Sequence, residues 1–489
     1  MKKIVFLFFI LYGEIYGQGI DNRWVFGYSC CAGNFGATDL DFSTGSVNVI
    51  LRQRYMNINC TVGSISDNNG NLLFISNGIY IANALDDTMQ NGSGINPSAY
   101  TTAKAMDGLA LPQGNLVIPF PEDSTKYYLF HETSDDMNGT WATLYLYYSV
   151  IDMTLDGGLG AVIQKNTVLL NDSLVEGRIT SCKHANGRDW WLVVHQYHTG
   201  LVYKYLITPQ GISGPFTQDL ITPRDVYFGQ ALFSPQGNMF AYYEPFGDLD
   251  IFDFDRCTGD FSNIVHIDIN DSAFAGGAAF SPTGRYLYVS SVNYIYQFDM
   301  SASNIDSSKV VVGIYDGYQY QGLYQNFYLS ALAPDGKIYI NCGDGSKYFH
   351  VINSPDSAGL ACDFVQRGLP LPRWNAFTIP NYPNYFLGAE GGTVCDSLPT
   401  GISDIKSPIE EFTVFPNPVQ DFVFVNQSAK EPVLEISIVN SLGQIEAVQF
   451  TSINSGQYLQ VNMGGYASGV YLLQMRTTKR VVTKKMVKQ

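Results

Sequence analysis

The chain has 489 residues, 46% of them hydrophobic and only 15% charged, so it is long enough for two to four packed domains and too apolar to be disordered. Its 28 Lys and Arg stand against 44 Asp and Glu, a formal net charge of −16, which argues against a nucleic-acid binder because phosphate recognition needs a basic face. Aromatic residues make up 14%, with 33 Tyr, 30 Phe and 47 Gly, a composition of short strands and tight turns rather than helix bundles.

Met1-Lys2-Lys3 precedes an apolar run from Ile4 to Tyr12, too short to span a bilayer as a helix. Residues 1–17 therefore read as a cleaved secretory signal, with the cut between Gly17 and Gln18. No later apolar run is long enough for a transmembrane helix, so none is expected in the mature chain. All eight Cys (30, 31, 60, 182, 257, 342, 362, 395) fall after the signal, and an exported chain permits disulfides. Spacing does not fix their pairing. Cys342 with Cys362 is one candidate pair, and buried free thiols are the alternative.

From residue 62 onward one pattern recurs: an apolar residue, a polar turn ending in Gly, then an alternating strand. It appears at Ile65–Phe74 and Lys183–Leu192, then in three close copies: Phe233-Ser234-Pro235-Gln236-Gly237, Phe280-Ser281-Pro282-Thr283-Gly284 and Leu332-Ala333-Pro334-Asp335-Gly336. A degenerate copy lies at 109–131. The four glycines at 187, 237, 284 and 336 are about 50 residues apart, the repeat length of a β-propeller blade. Pro presets φ for the turn and Gly supplies the positive φ that reverses the chain. Units starting near 62, 109, 179, 230, 278 and 331 make six. Strand-like pieces are left over at 24–50 and at 374–380, and joining them in one composite blade would hide the edges of an open ring. The expected fold of 18–395 is thus an all-β, seven-bladed propeller, with six blades as the alternative, and residues 374–380 are expected to pair with the segment around 24–50.

Residues 396–411 read as a linker, with Pro399, Gly401 and Pro408. Residues 412–489 follow as about seven short alternating strands, a small C-terminal β-sandwich. From 401 to 489 there are 8 basic and 7 acidic residues, so the acidity belongs to the larger unit.

Four motifs in a fixed order mark this C-terminal unit. Phe415-Pro416-Asn417-Pro418 forms the first strand-turn, and Ile438–Gln444, with Gly443, a middle hairpin. Ser468–Met475, with Gly469 and Tyr471, precedes a basic terminal strand with Lys484 and Lys485. Residues 412–489 resemble the type A C-terminal sorting domain of the Bacteroidota type IX secretion system. The resemblance implies export through the periplasm and outer membrane, the type IX machinery as partner, and a cell-surface or extracellular destination. It further implies that the tail is removed by a surface peptidase and the cargo released or attached to lipopolysaccharide. The family usually has Val or Ile where Met486 stands. Segments 68–78, 184–191 and 253–259 look like parts of uncharacterised propellers found upstream of such tails, which implies no substrate.

Candidate chemistry is sparse. His195 and His198 fall on opposite sides of a strand and cannot share a metal without a bend, and His184 reads as a turn residue. Asp248, Asp250, Asp253 and Asp255 form a carboxylate-rich run in which calcium is a possibility, but Ile251-Phe252 interrupts it where a calcium loop needs a Gly, and a solvated turn leading into a strand is the competing reading. Asp86-Asp87 and Asp135-Asp136 are candidate acid pairs only if the fold brings a second carboxylate within sugar-spanning distance. Trp141, Trp190, Trp191 and Trp374 could stack on sugars or pack in cores. Trp190 and Trp191 point to opposite faces of one strand, so both can be core residues only if both faces are covered. Asp-Ser/Thr-apolar triplets at 87, 172, 271, 356 and 396 resemble the O-glycosylation acceptor pattern of Bacteroidota envelope proteins, and the same dipeptide is common in turns. No nucleophile elbow, phosphate loop or zinc-protease motif is present, so no catalytic, cofactor or metal residue is assigned. The reading is a secreted or surface binding module with a carbohydrate or protein ligand at the propeller funnel. The alternatives are an extracellular hydrolase or lyase acting on polysaccharide or glycoprotein, and a structural component of the surface or gliding apparatus.

Overall fold

The structure, a computed structural model, describes residues 19–28, 36–137, 140–225, 228–396, 412–426, 432–440, 445–453, 458–477 and 481–489. The signal segment, Cys30, Cys31, Gly443 and residues 397–411 lie outside the described residues. The chain divides into two compact units, 1–398 and 399–489.

The larger unit is a succession of antiparallel meanders. The first has three strands, Arg23–Phe26, Ala37–Asp41 and Asn48–Arg52. The second runs from Gly63–Ser66 to Thr88–Ser93, and the third pairs Asn115–Phe120, Asp123–His131, Thr140–Asp152 and Ala161–Leu174. One parallel bridge, Ala161 with Gln90, joins these two into a continuous sheet. Four further four-stranded meanders begin at Thr180–Lys183, Gln230–Phe233, Gly276–Phe280 and Ser330–Leu332.

Each meander buries both faces against its neighbours. Trp190 and Trp191 show this directly: Trp190 packs with the second and third meanders, Trp191 with Phe240, Phe252 and Phe261 of the fifth. Separate cores join the fifth to the sixth (Ile251, Leu287) and the sixth to the seventh (Tyr288, Ile340). The seventh packs on the first through Tyr339, Phe349, Trp24 and Phe42, and the first on the second through Val25, Ile58 and Ile75. The packing order returns to its start, a propeller-like arrangement.

The repeated turns do what their residues dictate. Gly187, Gly237, Gly284 and Gly336 have φ between +71° and +76°, a region an L side chain resists. Ser234 Oγ accepts from Met239 N at 3.1 Å and Ser281 Oγ from Tyr286 N at 3.2 Å, closing each turn onto the next strand.

The expected pairing of 374–380 with 24–50 does not occur. Trp374 and Asn375 end the strand Phe364–Asn375, which pairs within the seventh meander, while Arg23–Phe26 pairs with Ala37–Asp41. Residues 376–387 instead follow the innermost strands from one face of the unit to the other. Thr378 Oγ1 donates to Asn59 O at 3.1 Å, and Asn381 Nδ2 to Ile179 O at 2.9 Å and Asn115 O at 3.1 Å. Tyr385 donates to Val117 O at 2.8 Å, and Asn384 Nδ2 to Pro235 O at 2.7 Å. The physical reason is polar satisfaction. Innermost strands have a free edge whose backbone groups need partners, and a central segment rich in Asn, Tyr and Thr supplies them. Gln113 and Gln230 act likewise: Gln113 binds both N and O of Ala231, and Gln230 Oε1 accepts from Ala278 N and Ser330 N. The threaded segment is fastened by a disulfide between Cys257 and Cys395. Cys342 and Cys362, the candidate pair from sequence, are both free and buried, and Cys342 Sγ lies 3.3 Å from His350 Nε2.

The C-terminal unit has two four-stranded sheets, one ordered Thr413–Phe415, Phe422–Asn426, Tyr458–Asn462, Phe450–Ile453, the other Ile445–Val448, Val433–Val439, Gly469–Thr477, Val481–Lys488. Val423, Val425 and Leu459 of one share a core with Ile436, Leu473, Met475 and Met486 of the other. Ile445–Val448 and Phe450–Ile453 are separated by one residue and lie in different sheets.

Candidate functional site

Strand direction sorts the larger unit into two faces. In the four-stranded meanders the first-to-second and third-to-fourth turns share one face, and the second-to-third turns and the loops between meanders share the other; the three-stranded first meander runs the opposite way, with Gly19 N on Asn68 O at one end and Gly27 bridged to Ile58 at the other. The Gly turns lie on the first, here called the turn face. The opposite, loop face carries the convergent charged groups.

Glu132 follows the strand Asp123–His131, Glu176 and Arg178 lie in the loop before Thr180–Lys183, Glu244 ends the strand Met239–Glu244, and Arg224 lies in the loop before Gln230–Phe233. All are on the loop face. Glu132, Arg178 and Glu244 are 1–2% exposed. Glu132 accepts from Gly177 N, and Ser134 Oγ donates to Glu176. Arg178 Nη1 donates to Gly177 O at 2.8 Å, and its guanidinium lies 5.9 Å from the Tyr242 ring centre, with that of Arg224 at 4.5 Å. Burial pushes the Glu132 carboxyl up to about 8, outweighing the Gly177 hydrogen bond and Arg178. Burial also raises Glu176 and Glu244. Glu132, Glu176 and Glu244 all feel the Arg178 charge, and burial favours the protonated form of each.

Near this cluster is an apolar cavity of about 290 Å³, walled by Phe228, Phe274, Phe327, Tyr328 and Phe377, with Cys60 in its lining. Phe228 is 53% and Phe274 61% exposed, so the mouth is aromatic. Cys60 and Tyr328 both feel the Arg178 charge, which links cavity and cluster. On the turn face a second cavity, of about 510 Å³, lies beside the threaded segment, and its lining includes Asp21, Trp24, Ser181, Lys183 and Tyr382. The larger volume is thus on the turn face and the convergent acids on the loop face.

The residues singled out from sequence are placed as follows. His195 is buried, with Nε2 2.8 Å from Thr199 O, and burial pushes its imidazole down to about 3; His198 is exposed, 3.5 Å from Asp225. His184 Nε2 meets Cys257 O at 3.1 Å. The run Asp248–Asp255 is one strand and not a turn, so its carboxylates diverge: Asp250 is buried between Arg224 and His266, while Asp253 and Asp255 are exposed. Ligand atoms of Asp248, His266 and Asp268 come within 4.8 Å of one another. His266 is held by Asp250 at 2.6 Å and Asp268 at 3.3 Å, a pairing that raises its pKa. Asp135 receives Leu144 N at 3.3 Å, and Asp86 pairs with Arg54 at 2.9 Å. Trp141 is 48% exposed against Tyr100, and Trp374 meets Tyr320.

In the C-terminal unit, Asn417 clasps the terminal strand: Oδ1 accepts from Val487 N at 2.8 Å and Nδ2 donates to Lys485 O at 3.1 Å. Pro416 and Pro418 flank it. Gly469 opens its strand opposite Lys488, Tyr471 stands opposite Met486 with its hydroxyl on Ala467 O at 2.9 Å, and Lys484 and Lys485 stand opposite Leu473 and Leu472. Gly17 and Gln18 lie outside the described residues.

Sequence reasoning missed Glu132, Glu176, Glu244, Arg178 and Arg224. One signal was available. Residues 19–396 contain only five Glu (122, 132, 176, 244 and 390), and three of them meet here.

Among known proteins, residues 413–489 match the Secretion system C-terminal sorting domain family. No curated protein matches the chain. Solved structures similar to it include a proposed 6-phosphogluconolactonase from Bacteroides fragilis, 13% identical over 73% of this chain and 97% of that one, with a TM-score of 0.41. A protein from Lactobacillus plantarum is 15% identical over 72% and 98%, TM-score 0.41. The Cps50 (Swd1) β-propeller domain of Myceliophteria thermophila is 10% identical over 66% and 93%, TM-score 0.37. At these identities and scores the likenesses decide nothing about activity. No helix among the described residues is long and apolar enough to cross a membrane. Residues 413–489 are a secretion-system C-terminal sorting domain, and the chain is a cargo of the type IX secretion system, bound for the cell surface or the extracellular space.

Proposed function

We propose that the chain is a secreted binding module: a seven-bladed β-propeller over 18–395 that grips a partner at its loop face, delivered by a β-sandwich over 412–489 and a linker between them. The observation that carries this reading is the aromatic-walled cavity beside the Arg178 cluster. The threaded segment runs through the channel behind it, beside the turn-face cavity, so a ligand for this mouth approaches from the loop face. Aromatic walls favour an apolar side chain, and Asn326 and Asp344 in the same lining offer polar groups to a neighbouring peptide group. The partner class is therefore a protein segment presenting an apolar residue. Selection of displayed peptides on the full chain tests this. Bound peptides should share an apolar anchor and lose affinity at least tenfold against a Phe228→Ser/Phe274→Ser variant, and anchor-free peptides or unchanged affinity would overturn it.

The hydrolase reading survives on one observation, the protonated Glu132 beside Glu176, an acid and a second carboxyl in one cluster. A glycosidase screen in which Glu132→Gln abolishes turnover would favour it over binding. For the tail, Pro416, Asn417, Pro418, Gly443, Gly469, Tyr471, Lys484 and Lys485 present the surface read by the secretion machinery. Removing 412–489 should strand the protein in the periplasm, and normal secretion of that truncation would refute the role.

A further inference from the structure

The rim of the aromatic mouth on the loop face is built by loops of nearly one charge sign. Phe228, Phe274, Asn326 and Asp344 come from the stretches 220–229, 268–275, 315–329 and 341–345. The charged residues of those stretches are Asp225, Asp268, Asp271, Asp316, Asp344 and one cation, Arg224. Arg224 is buried against Asp250 and so neutralised. On the stretches that supply Cys60 and Ala110, Arg54 is taken by Asp39 and Asp86, and Lys104 lies 6.0 Å from the Tyr100 ring centre. Four of the five rim carboxylates already have side-chain partners. Asp225 meets His198 at 3.5 Å, Asp268 meets His266 at 3.3 Å, Asp316 pairs with Arg367 at 2.5 Å, and Asp271 accepts from Ser291 and, at 3.0 Å, from Tyr296 Oη. Asp344 differs. It is exposed and is the one charged residue in the cavity lining, and among the described residues its one hydrogen bond comes from backbone, Tyr324 N to Oδ2 at 3.0 Å. A carboxylate has about four acceptor sites, so that bond orients Asp344 and leaves it open to a donor.

We infer that the segment gripped at this mouth carries a lysine or arginine within two residues of its apolar anchor, the anchor entering among the rings and the cation pairing with Asp344 at the rim; the inference rests on the binding reading above. Charge decides which group goes where. Cys60 and Tyr328 of the inner wall feel the Arg178 guanidinium, so a cation placed deep in the cavity is repelled, whereas the rim is acidic and holds no exposed cation of its own. Spacing sets the distance along the chain. An extended segment points side chains i and i+2 to the same side, about 7 Å apart, and a round cavity of about 290 Å³ is about 8 Å across, so the second side chain falls at the edge. Lysine and arginine suit that edge because their stems are apolar and lie along hydrophobic surface while the charged head reaches an acid. Tyr324, whose N–H holds Asp344, is 51% exposed and adds such a surface beside the carboxylate.

The test uses the purified full chain and fluorescence anisotropy with labelled peptides of Gly and Ser, each with a central Phe and with Lys, Gln or Glu two positions to either side. The Lys peptide should bind about two- to fivefold tighter than the Gln peptide at low salt, as expected of a partly exposed ion pair, and the Glu peptide should bind weakest. Salt at about 0.5 M should bring the three together. Asp344→Asn, which keeps an oxygen for Tyr324 N, should bind the Lys and Gln peptides alike and the Gln peptide as wild type does. Should that variant fold poorly, the salt titration of wild type reads the same ion pair without it. Three results would overturn the inference and leave the apolar grip standing: equal affinity for the Lys and Gln peptides in wild type, a preference that outlasts Asp344→Asn or high salt, or the same preference when Lys stands five positions from Phe. Failure of every Phe peptide to bind, or binding that Phe228→Ser/Phe274→Ser leaves intact, would overturn the binding reading itself and this inference with it. A peptide with trimethyl-lysine and no Phe that competes for the mouth would place a cation among the rings and overturn both.

Discussion

Replacing Glu132 by Gln should stabilise the protein at alkaline pH and do almost nothing at acid pH. The carboxyl titrates near 4.5 when exposed and at about 8 in the folded chain, because burial disfavours its charged form. Between those values the folded state holds a proton that the unfolded state has lost, so this group's contribution to stability falls as pH rises. Glutamine mimics the protonated acid and can still accept from Gly177 N, so it carries no such penalty. The shift, at about 1.4 kcal/mol per pH unit, gives the variant an advantage of about 4 kcal/mol by pH 8. For a unit of roughly 380 residues, with an unfolding entropy of about 0.8 kcal/mol/K, that is a gain of about 5 °C in Tm. Other groups titrate in the same range: Asp21, raised to about 7 by burial, acts in the same direction, and His131, His195 and His350, lowered to about 3, act in the opposite one. They affect both proteins alike and cancel in the difference. Calorimetric scans of wild type and variant from pH 5 to pH 8.5 measure it. Equal Tm values throughout, or a gap that narrows as pH rises, would show that Glu132 is solvated or firmly ionised and refute the cluster as described.

Further outcomes follow from the same geometry. Cys395→Ser removes a link between residues 138 apart and should cost about 5 kcal/mol by loop entropy; reductant should bring wild type down to the variant's Tm and leave the variant unmoved. Gln230→Leu strands the N–H groups of Ala278 and Ser330 and should cost about 2–4 kcal/mol in chemical denaturation, with m-value unchanged. Gly237→Ala and Gly157→Ala both force a positive φ, but only at 237 would the new Cβ fall 2.6 Å from Cys182 Sγ; Gly237→Ala should lose about 2–3 kcal/mol and Gly157→Ala about 1. Asn417→Ala should cost the C-terminal unit about 1–2 kcal/mol and slow appearance of the protein outside the cell, measured by pulse-chase.

The sequence by itself determined the local grammar. Four Gly turns at a spacing near 50 residues imply repeated small sheets, since a Gly at positive φ after a Pro or Asn can only reverse the chain. The ordered motifs at 415–418, 468–475 and 483–489 declare the tail, because a β-unit with fixed turns writes them contiguously. Trp190 and Trp191, adjacent on one strand, could both be core residues only with both faces covered, and the two cores that take them show that both are. What the tertiary structure alone decided is how the ring is completed and where its chemistry lies. Residues 374–380 read as a strand-like partner for the segment around 24–50, but the free edges of the innermost strands outcompete that pairing by drawing 376–387 into the channel. Glu132, Glu176, Glu244, Arg178 and Arg224 come from four separate segments, each unremarkable in its own turn. Their meeting, and the burial that keeps Glu132 protonated, depend on which face each loop reaches, a property of strand direction summed around the ring that no local pattern encodes. Disulfide choice has the same origin: Cys342 and Cys362 are near in sequence and stay apart as thiols, while Cys257 meets Cys395 because the threaded segment ends beside it.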